Sequence, residues 1–205
     1  WFAARATKEA RAALRDRLGV GEEAKVILFA GKLVPFKRPL DVIAAAGLMR
    51  RDGMNVEVMV AGSGALADEM TNAAAAAGVP LHHLGFCNQT EMPAAYAASD
   101  VLALPSDGRE TWGLVANEAL AAGRPIVLSD AVGSAPDLAS DGRAGRVFPV
   151  GNVEALAEAL ADVIGSPPSA ATIAAKSARY SIGAAVDGIM DAAASVRSRG
   201  RMVAL

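Results

Sequence analysis

The sequence contains few of the residues from which disulfides, metal centres and nucleic-acid interfaces are made. Its one cysteine, Cys87, excludes an internal disulfide and suits a reducing cytoplasm, which is the location we predict. Its two histidines, His82 and His83, would face opposite sides of a strand, so they cannot chelate one ion together. With 20 Lys and Arg residues against 22 Asp and Glu, the chain has no electrostatic footprint for nucleic acid. We therefore expect neither a metal cofactor nor a nucleic-acid partner.

Long hydrophobic runs and aromatic residues are also scarce. No apolar run reaches the roughly 18 residues that a membrane span needs. The first residues, Trp1-Phe2-Ala3 followed by charges, are unlike a signal peptide. Hydrophobic residues make up 53% of the 205 residues but aromatics only 4%, so we predict an aliphatic, alanine-rich core. This length is enough for one generous domain, or one and a half.

Short apolar runs alternate with segments of helical periodicity along most of the chain. "KVILFAG" (25–31), for example, is β-branched, continuous and closed by glycine, as buried parallel strands are. Strands are predicted at 25–31, 81–86, 101–106, 125–130 and 145–150, and 56–64 is predicted to be a strand with its following turn. Helices are predicted at 8–18, 38–53, 65–78, 90–100, 114–123 and 152–165. The alternation predicts an α/β fold, a Rossmann-like open parallel sheet with helices on both faces.

The composition changes after the last of these helices. "SPPSAAT" (166–172) is predicted to be a Pro/Ser-rich linker. It is followed by an alanine-rich amphipathic helix at about 183–197 with the basic end "RSRGR". The chain is thus divided into an N-terminal helix and linker, a Rossmann-like domain, and a linker with a final helix, at 1–24, 25–165 and 166–205.

The loop after the first strand has the residues of an anion site. Ligands of such sheets bind outside the carboxyl ends of the strands. In "AGKLVPFKRP" (30–39), Gly31 ends the strand, and Lys32 and Lys37 lie near the start of the next helix. Bare amides, a helix dipole and two ammonium groups would suit a diphosphate. A solvated basic loop is the alternative.

The loop after the second strand matches the dinucleotide fingerprint G-x-G-x-x-A through Gly62, Gly64 and Ala67. That fingerprint also needs an acid at the end of the next strand to bind a ribose hydroxyl, and the next strand ends "LHHLGFCN" without one. We therefore predict that Gly62 and Gly64 allow a tight turn and a close approach of the backbone to a ligand.

The segment "PSDGRETWGLVANEALAAGRPIV" (105–127) gives the strongest functional signal. "GLV" (113–115) opens a helix, so its amides can hold a phosphate. Glu118, on the second turn, is within reach of a ribose diol above that N-terminus. Glu110, in the preceding loop, lies on the other side, where a second polyhydroxy group would sit, as in a nucleoside diphosphate sugar. Two solvated glutamates are the alternative, and Trp112 either stacks on the ligand or caps the core.

These residues resemble the motif of a known family, the retaining glycosyltransferases of the GT-B fold, specifically glycosyltransferase family 4 (group 1). Members carry the pattern E-x-F-G-L-x-x-x-E-A-x-A-x-G-x-P-V. At matching positions this chain has Glu110, Gly113, Leu114, Glu118, Ala119, Ala121, Gly123 and Pro125. The resemblance extends over about 25–165, through "AGKLVPFK", "VAGSG", "LGF", "ALPS" and "DGRAGRVFPVGNVEALAEAL".

The resemblance implies a role for each matching residue. Glu118 would bind the ribose, Glu110 the donor sugar, and Phe86 would lie near the base. Lys32 and Lys37 would neutralise the diphosphate during catalysis. The other substrate-binding positions implied are Gly31, Gly62, Gly64, Trp112, Gly113, Leu114 and Val115. The implied partners are a nucleoside diphosphate sugar donor and an acceptor glycan or lipid-linked sugar, with no cofactor.

The chain departs from the family pattern at three residues and in its extent. Lys32 stands where the family usually has arginine, which keeps the charge but loses the bidentate fork. Trp112 replaces phenylalanine, and Asp137 replaces glutamate. Family members have two Rossmann-like domains, with the acceptor-binding domain first and catalysis in the cleft between them. The resemblance therefore implies that this chain is the donor-binding half, inactive alone, and that peripheral membrane contact would come through the other half.

The residues alone leave other functions open. A nucleotide-sugar epimerase or a phosphorylase shares the two-domain architecture, and a phosphorylase would need a lysine context for pyridoxal phosphate that is not evident. A non-catalytic module would bind plain nucleotide with no gain from a sugar. A dinucleotide-binding domain is disfavoured because the ribose acid is missing.

Overall fold

The strands form one parallel sheet in the computed structural model, which describes residues 1–202 and the side chains of 1–196. Their bounds are β1 Lys25–Ala30, β2 Val56–Ala61, β3 Leu81–Gly85, β4 Val101–Leu104, β5 Ile126–Ser129 and β6 Gly145–Phe148. The order in the sheet is β3-β2-β1-β4-β5-β6, and every neighbouring pair is parallel.

Helices cover both faces of the sheet, which confirms the predicted fold class. Their bounds are α1 Lys8–Leu18, α2 Pro39–Arg51, α3 Ala67–Ala77, α4 Met92–Ala98, α5 Leu114–Ala121, α6 Ala135–Leu138, α7 Val153–Gly165, α8 Ala170–Arg179 and α9 Ile182–Met202, with a 3₁₀ turn at Pro35–Lys37. One core cluster contains residues of α1, α4, α5 and α8, and the other contains residues of α2, α3 and α7.

The central strand β1 shows why the sheet has to be covered on both sides. Val26 to Ala30 are each at most 2% exposed, although alternate residues of a strand point to opposite faces. Leu28 packs in one core cluster and Phe29 in the other. Truncating Phe29 to alanine would cost about 3–5 kcal/mol. A continuous apolar run is therefore required here, and such a run can be recognised in the sequence.

The strand order reverses between β1 and β4. On one side of this point the sheet continues through β2 to β3, and on the other through β5 to β6. Leu28 has Met59 of β2 and Leu102 of β4 as its neighbours in the sheet. At such a switch point the connections after two adjacent strands diverge, and the crevice at their carboxyl ends accommodates ligands.

α1 is fixed to the domain by two arginines. Arg15 is 6% exposed and donates to the carbonyl oxygen of Ala98 at 3.1 Å. Arg11 pairs with Asp100 at 2.9 Å, and the same carboxylate accepts from the amide of Val26 at 2.8 Å. Within the N-terminal part predicted as helix and linker, residues 8–18 therefore pack against α4.

The C-terminal region differs from its predicted organisation. α8 begins at Ala170, inside the predicted linker, because Ser169 caps it by accepting from the amide of Thr172 at 3.1 Å. The short helix α6 is also absent from the prediction, since four residues carry no periodicity. The side chains of "RSRGR" (197–201), predicted as a basic end, lie outside the described residues. Neither α9 nor another helix in the described part is long and apolar enough to cross a membrane.

Candidate functional site

A cavity of about 410 Å³ opens at the carboxyl ends of β1 and β2, beside the switch point. Its walls come from the loops after β1, β2 and β3 and from α4 and α5. The predicted site residues that line it are Gly31, Lys32, Gly62, Phe86, Val115 and Glu118. The predicted site residues outside its lining are Lys37, Gly64, Glu110, Trp112, Gly113 and Leu114.

Two glycines allow the loops after β1 and β2 to pack backbone against backbone. A Cβ at Gly62 would lie 1.8 Å from the carbonyl oxygen of Gly31, and one at Gly64 would lie 2.4 Å from that of Leu33. The amide of Leu33 donates to the carbonyl of Ser63 at 2.9 Å. The glycines thus allow a close approach between the two loops. Gly62 also lines the cavity, and the predicted close approach to a ligand stays a prediction.

Lys32 and Lys37 have different surroundings. Lys32 is exposed, lines the cavity and forms no ion pair with any described residue. Lys37 pairs with Glu110, and the two side chains are only 17% and 13% exposed. Ser106 donates a second hydrogen bond to the same carboxylate at 3.3 Å. Glu110 thus neutralises Lys37 beside the cavity, while Lys32 offers its charge within it.

Lys37 remains close to the cavity wall although it does not line it. Its Cδ, Cε and Nζ atoms lie 3.7–3.8 Å from the position that a Cβ at Gly31 would take. Since Gly31 lines the cavity, the Lys37–Glu110 pair borders the space next to Lys32.

Glu118 is half-buried on α5 and faces the cavity. Its Oε2 accepts a hydrogen bond of 2.7 Å from the hydroxyl of Tyr96 on α4. Burial raises the pKa of the Glu118 carboxyl above its ordinary value, and the hydrogen bond from Tyr96 partly offsets this. An ionised carboxylate at this place can accept hydrogen bonds from hydroxyl groups of a ligand.

The start of α5 supplies backbone amides at the edge of the cavity. Gly113 is the N-cap residue with φ 80°, and a Cβ there would lie 2.6 Å from Cδ2 of Leu104. Leu114 and Val115 are the first two helical residues, so their amides have no partner within the helix. Val115 lines the cavity, whereas the side chain of Leu114 is 69% exposed.

Trp112 is held by polar contacts away from the cavity. Its Nε1 donates to Oδ1 of Asn117 at 2.7 Å, and Nδ2 of Asn117 donates to the carbonyl of Tyr180 at 3.1 Å. The ring is half-buried and does not line the cavity. Trp112 therefore anchors the motif loop to the end of α8, and the stacking alternative has no support in this arrangement.

Some residues of the cavity are not found by reasoning from the sequence. Phe2 and Met92 line it, although neither belongs to a motif loop or a strand end, and Gln89 lines it from the loop after β3. Tyr96 does not line the cavity, but its hydroxyl donates to Glu118, which does. A signal for Tyr96 does exist, because it is the aromatic residue in the alanine-rich helix α4, and a buried tyrosine hydroxyl needs a partner.

The histidines take up separate structural positions, as the sequence indicates. His82 contacts Glu57 of β2 at 2.7 Å, and His83 contacts Thr71 of α3 at 3.0 Å. The two rings thus bond to different elements. Neither lines the cavity.

A larger groove of about 750 Å³ lies between the loop before β6 and α8. It is at the amino end of β6, opposite to the end where ligands of such sheets bind. Lys176 in this groove is already bound to Asp141 at 2.7 Å. No predicted site residue lines it, so we place the candidate site in the smaller cavity.

A protein-family model described as "Glycosyl transferases group 1" matches residues 10–180. The match covers most of the chain and includes the segment with both motif glutamates. The chain belongs to the group 1 glycosyltransferases. Its assignment to this group from the motif is thereby confirmed.

Curated relatives of this glycosyltransferase chain act on inositol-containing compounds, according to their names. The D-inositol 3-phosphate glycosyltransferase of Mycolicibacterium gilvum is 34% identical over 166 residues, which are 78% of this chain and 36% of the relative. A GDP-mannose-dependent alpha-(1-6)-phosphatidylinositol monomannoside mannosyltransferase of Mycolicibacterium smegmatis is 32% identical over 174 residues, 80% of this chain and 45% of the relative. The chain thus spans less than half the length of both.

Solved structures share the fold of this chain. The Anabaena protein HepE in complex with UDP has a TM-score of 0.78 at 24% identity, covering 92% of this chain and 53% of HepE. HepE in complex with UDP-glucose has a TM-score of 0.75 at 22% identity, with the same coverage. At these identities the likeness shows the fold, which is the Rossmann-like half of a GT-B architecture.

Proposed function

We propose that this chain is the donor-binding domain of a retaining glycosyltransferase of family 4. The whole enzyme transfers a sugar from a nucleoside diphosphate sugar to an acceptor hydroxyl. The observation that carries the proposal is the cavity at the strand carboxyl ends, in which Lys32 and Glu118 meet with a ring, Phe86, at the rim. These are a cation, a hydroxyl acceptor and a stacking surface, which are the groups that a nucleoside diphosphate requires.

Each chemical group of the nucleoside diphosphate sugar is assigned to residues that line the cavity or lie beside it. Glu118 accepts from the ribose hydroxyls, and Phe86, which is 80% exposed, stacks on the base. The diphosphate lies between Lys32 and the amides at the start of α5, where the charge and the helix dipole both favour an anion. Glu110 and Lys37, beside the cavity, face the donor sugar and the leaving phosphate oxygen.

The proposed chemistry depends on stabilising the leaving diphosphate. As the bond from the anomeric carbon to the diphosphate oxygen breaks, the acceptor oxygen bonds to the same face of the sugar, so that configuration is retained. The acceptor proton passes to the departing phosphate oxygen. Lys32, Lys37 and the α5 amides stabilise the negative charge that develops there. These groups carry the charge without a metal ion.

The relatives support nucleoside diphosphate sugars as the substrate class. The base and the sugar are to be identified by experiment. One relative is named as dependent on GDP-mannose, and a solved structure of the same fold holds UDP-glucose. Both are nucleoside diphosphate sugars. We propose an acceptor glycan or lipid-linked sugar, a cytoplasmic location, and an acceptor site in a part of the whole protein that this chain does not include.

Isothermal titration calorimetry with UDP, GDP, UDP-glucose and GDP-mannose tests the proposal. We expect at least one nucleoside diphosphate to bind, and its sugar conjugate to bind more tightly. Lys32→Ala should weaken the diphosphates. Lys25→Ala is the matched control, because Lys25 is an exposed lysine at the other end of the same strand β1.

Two results would contradict the proposal. Binding of plain nucleotide with no gain from a sugar would favour a non-catalytic module. Equal losses in Lys32→Ala and Lys25→Ala would show that net charge, and not a site in the cavity, decides binding.

A further inference from the structure

The carboxylate of Glu118 has one side-chain hydrogen-bond partner among the described residues, the hydroxyl of Tyr96. The two residues lie on neighbouring helices, α4 and α5, and their contact joins Oε2 of the carboxylate to the phenol at 2.7 Å. The other oxygen, Oε1, forms no hydrogen bond with a described residue. The carboxylate is thus held by Tyr96 at Oε2, and Oε1 is available to accept from a ligand.

Tyr96 is suited to hold this carboxylate at every working pH. It is 0% exposed, and its ring packs in the core with Phe2 edge-on at 5.8 Å. Burial, followed by the charge and the hydrogen bond of Glu118, raises the pKa of Tyr96 well above its ordinary value. The hydroxyl therefore keeps its proton and acts as a permanent donor. Packing fixes the ring and therefore the position of its oxygen, and the hydrogen bond to Glu118 sets the direction of the O–H group.

We propose that Tyr96 is a positioning residue for the donor site, which orients Glu118 so that the cavity selects ribonucleotides over nucleotides lacking ribose hydroxyls. This inference rests on the proposed function, because it requires Glu118 to accept from the ribose. Tyr96 itself does not touch the ligand. It fixes Oε2, limits the rotation of the carboxylate and leaves Oε1 for the hydroxyl groups of the sugar.

Two consequences distinguish this role from packing alone. Without the hydroxyl, Glu118 is free to rotate and binds ribose hydroxyls less well, while base and diphosphate contacts stay the same. In addition, the hydrogen bond that lowers the pKa of Glu118 is lost, so the carboxyl protonates at a higher pH. Phenylalanine keeps the ring and its packing, so a purely structural role would predict neither effect.

The test is a calorimetric comparison of UDP with 2′,3′-dideoxy-UDP, or of the guanine pair if GDP binds more tightly to the wild type. We expect Tyr96→Phe to weaken UDP about five- to tenfold, the size of one ordinary hydrogen bond, because Glu118 is no longer held in the orientation that accepts from the ribose. The dideoxy form should stay within twofold. Tyr180→Phe is the control, since Tyr180 is the other tyrosine and bonds to Asp137, away from the cavity.

The ratio of the affinity for UDP to the affinity for 2′,3′-dideoxy-UDP is then measured from pH 5 to pH 8. Both ligands carry the same phosphates, so the ratio cancels their titration. The other titratable side chains lining the cavity are Lys32 and Cys87, and burial raises the pKa of the Cys87 thiol. The preference of the wild type for UDP should decline as the pH falls and Glu118 is protonated. In Tyr96→Phe the decline should begin at a higher pH.

The outcomes separate this inference from the proposed function. A wild type that binds UDP and the dideoxy form equally well would overturn the assignment of ribose to Glu118. If the wild type prefers UDP and Tyr96→Phe keeps the same preference and the same pH midpoint, the positioning role is wrong. Glu118→Gln provides a second variant, because adding Tyr96→Phe to it should cause no further loss of preference.

Discussion

Two lysines of equal charge have different partners in the candidate site, and this predicts different consequences of removing them. Lys37 is paired with Glu110, whereas Lys32 forms no ion pair with any described residue. We expect Lys32→Ala to weaken binding of a nucleoside diphosphate by about 1.5–3 kcal/mol, the range for hydrogen bonds to charged groups. Lys37→Ala should weaken it less. Calorimetry with the diphosphate and the nucleoside measures both, and an equal loss for the nucleoside would make the lysines structural.

Removing Glu110 should separate the bare nucleotide from the nucleotide sugar. In Glu110→Ala, Lys37 loses its neutralising carboxylate, so binding of the nucleoside diphosphate should be unchanged or stronger. The nucleotide sugar should bind more weakly by about 1–3 kcal/mol, because its hydroxyls lose their acceptor. Titrations of UDP and UDP-glucose into the same variant show the difference. An equal loss for both would mean that Glu110 acts only by holding Lys37.

The raised pKa of Glu118 predicts that the free protein is less stable with this carboxylate ionised. The folded protein binds the proton more tightly than the unfolded chain, so stability falls as the pH rises through the window between the two pKa values. Glu118→Gln should therefore raise the Tm at pH 7–8. The difference should vanish below about pH 4, where the unfolded carboxyl is also protonated. Thermal unfolding of both proteins across pH measures this, and a lower Tm at pH 7 would contradict it.

Residues close in sequence to a strand end or to a helix start could be predicted, and pairs across the fold could not. Lys32 and Glu118 were accessible to sequence reasoning because each follows directly from a strand–loop–helix pattern. The pairing of Lys37 with Glu110 joins positions 73 residues apart, and Tyr96 reaches Glu118 from a different helix. Such contacts depend on how the helices pack on the sheet, and the hydrophobic periodicity of the sequence does not specify that packing.

Among the elements, the paired loops after β1 and β2 are the most sensitive to substitution. Gly62→Ala places a methyl group 1.8 Å from a backbone oxygen, which cannot yield as a flexible side chain would. We expect a loss of about 1–3 kcal/mol or more in the free energy of unfolding. Nucleotide affinity should fall too, because Gly62 lines the cavity.

Urea unfolding checks this, with Gly165→Ala as the control at the end of α7. Nothing lies within 4 Å of a Cβ at Gly165, so that variant should be as stable as the wild type or slightly more so. Equal stability of the two variants would show that the loops can separate without cost.

Elements differed in how well they could be predicted. The central strands β1, β2, β4 and β5 were found because both of their faces are buried, which forces continuous apolar runs. The edge strands β3 and β6 are only partly buried. α8 was missed because Pro167 and Pro168 just before it suggest a linker. Its start depends on a single cap, Ser169, whose side chain accepts from the amide of Thr172.

The whole chain should fold and bind a nucleoside diphosphate by itself, yet transfer no sugar. The sheet, both core clusters and the cavity lining described above are formed by residues of this chain, while the acceptor site is proposed to lie elsewhere in the whole protein. EDTA should leave the affinity unchanged, because the proposed charge stabilisation uses lysines and amides. Sugar transfer by the 205-residue chain alone, measured as release of the nucleoside diphosphate with an added acceptor, would contradict this division of roles.

The position of the cavity at the switch point has a consequence for how ligands affect folding kinetics. Lys32 follows β1 and Glu118 follows β4, so the binding surface exists only after strands distant in sequence have paired. Contacts of this range are slow to form. A nucleotide that binds only the completed surface does not stabilise the folding transition state. It should therefore slow unfolding and leave the refolding rate unchanged. The ligand would thus protect the native state without guiding its formation.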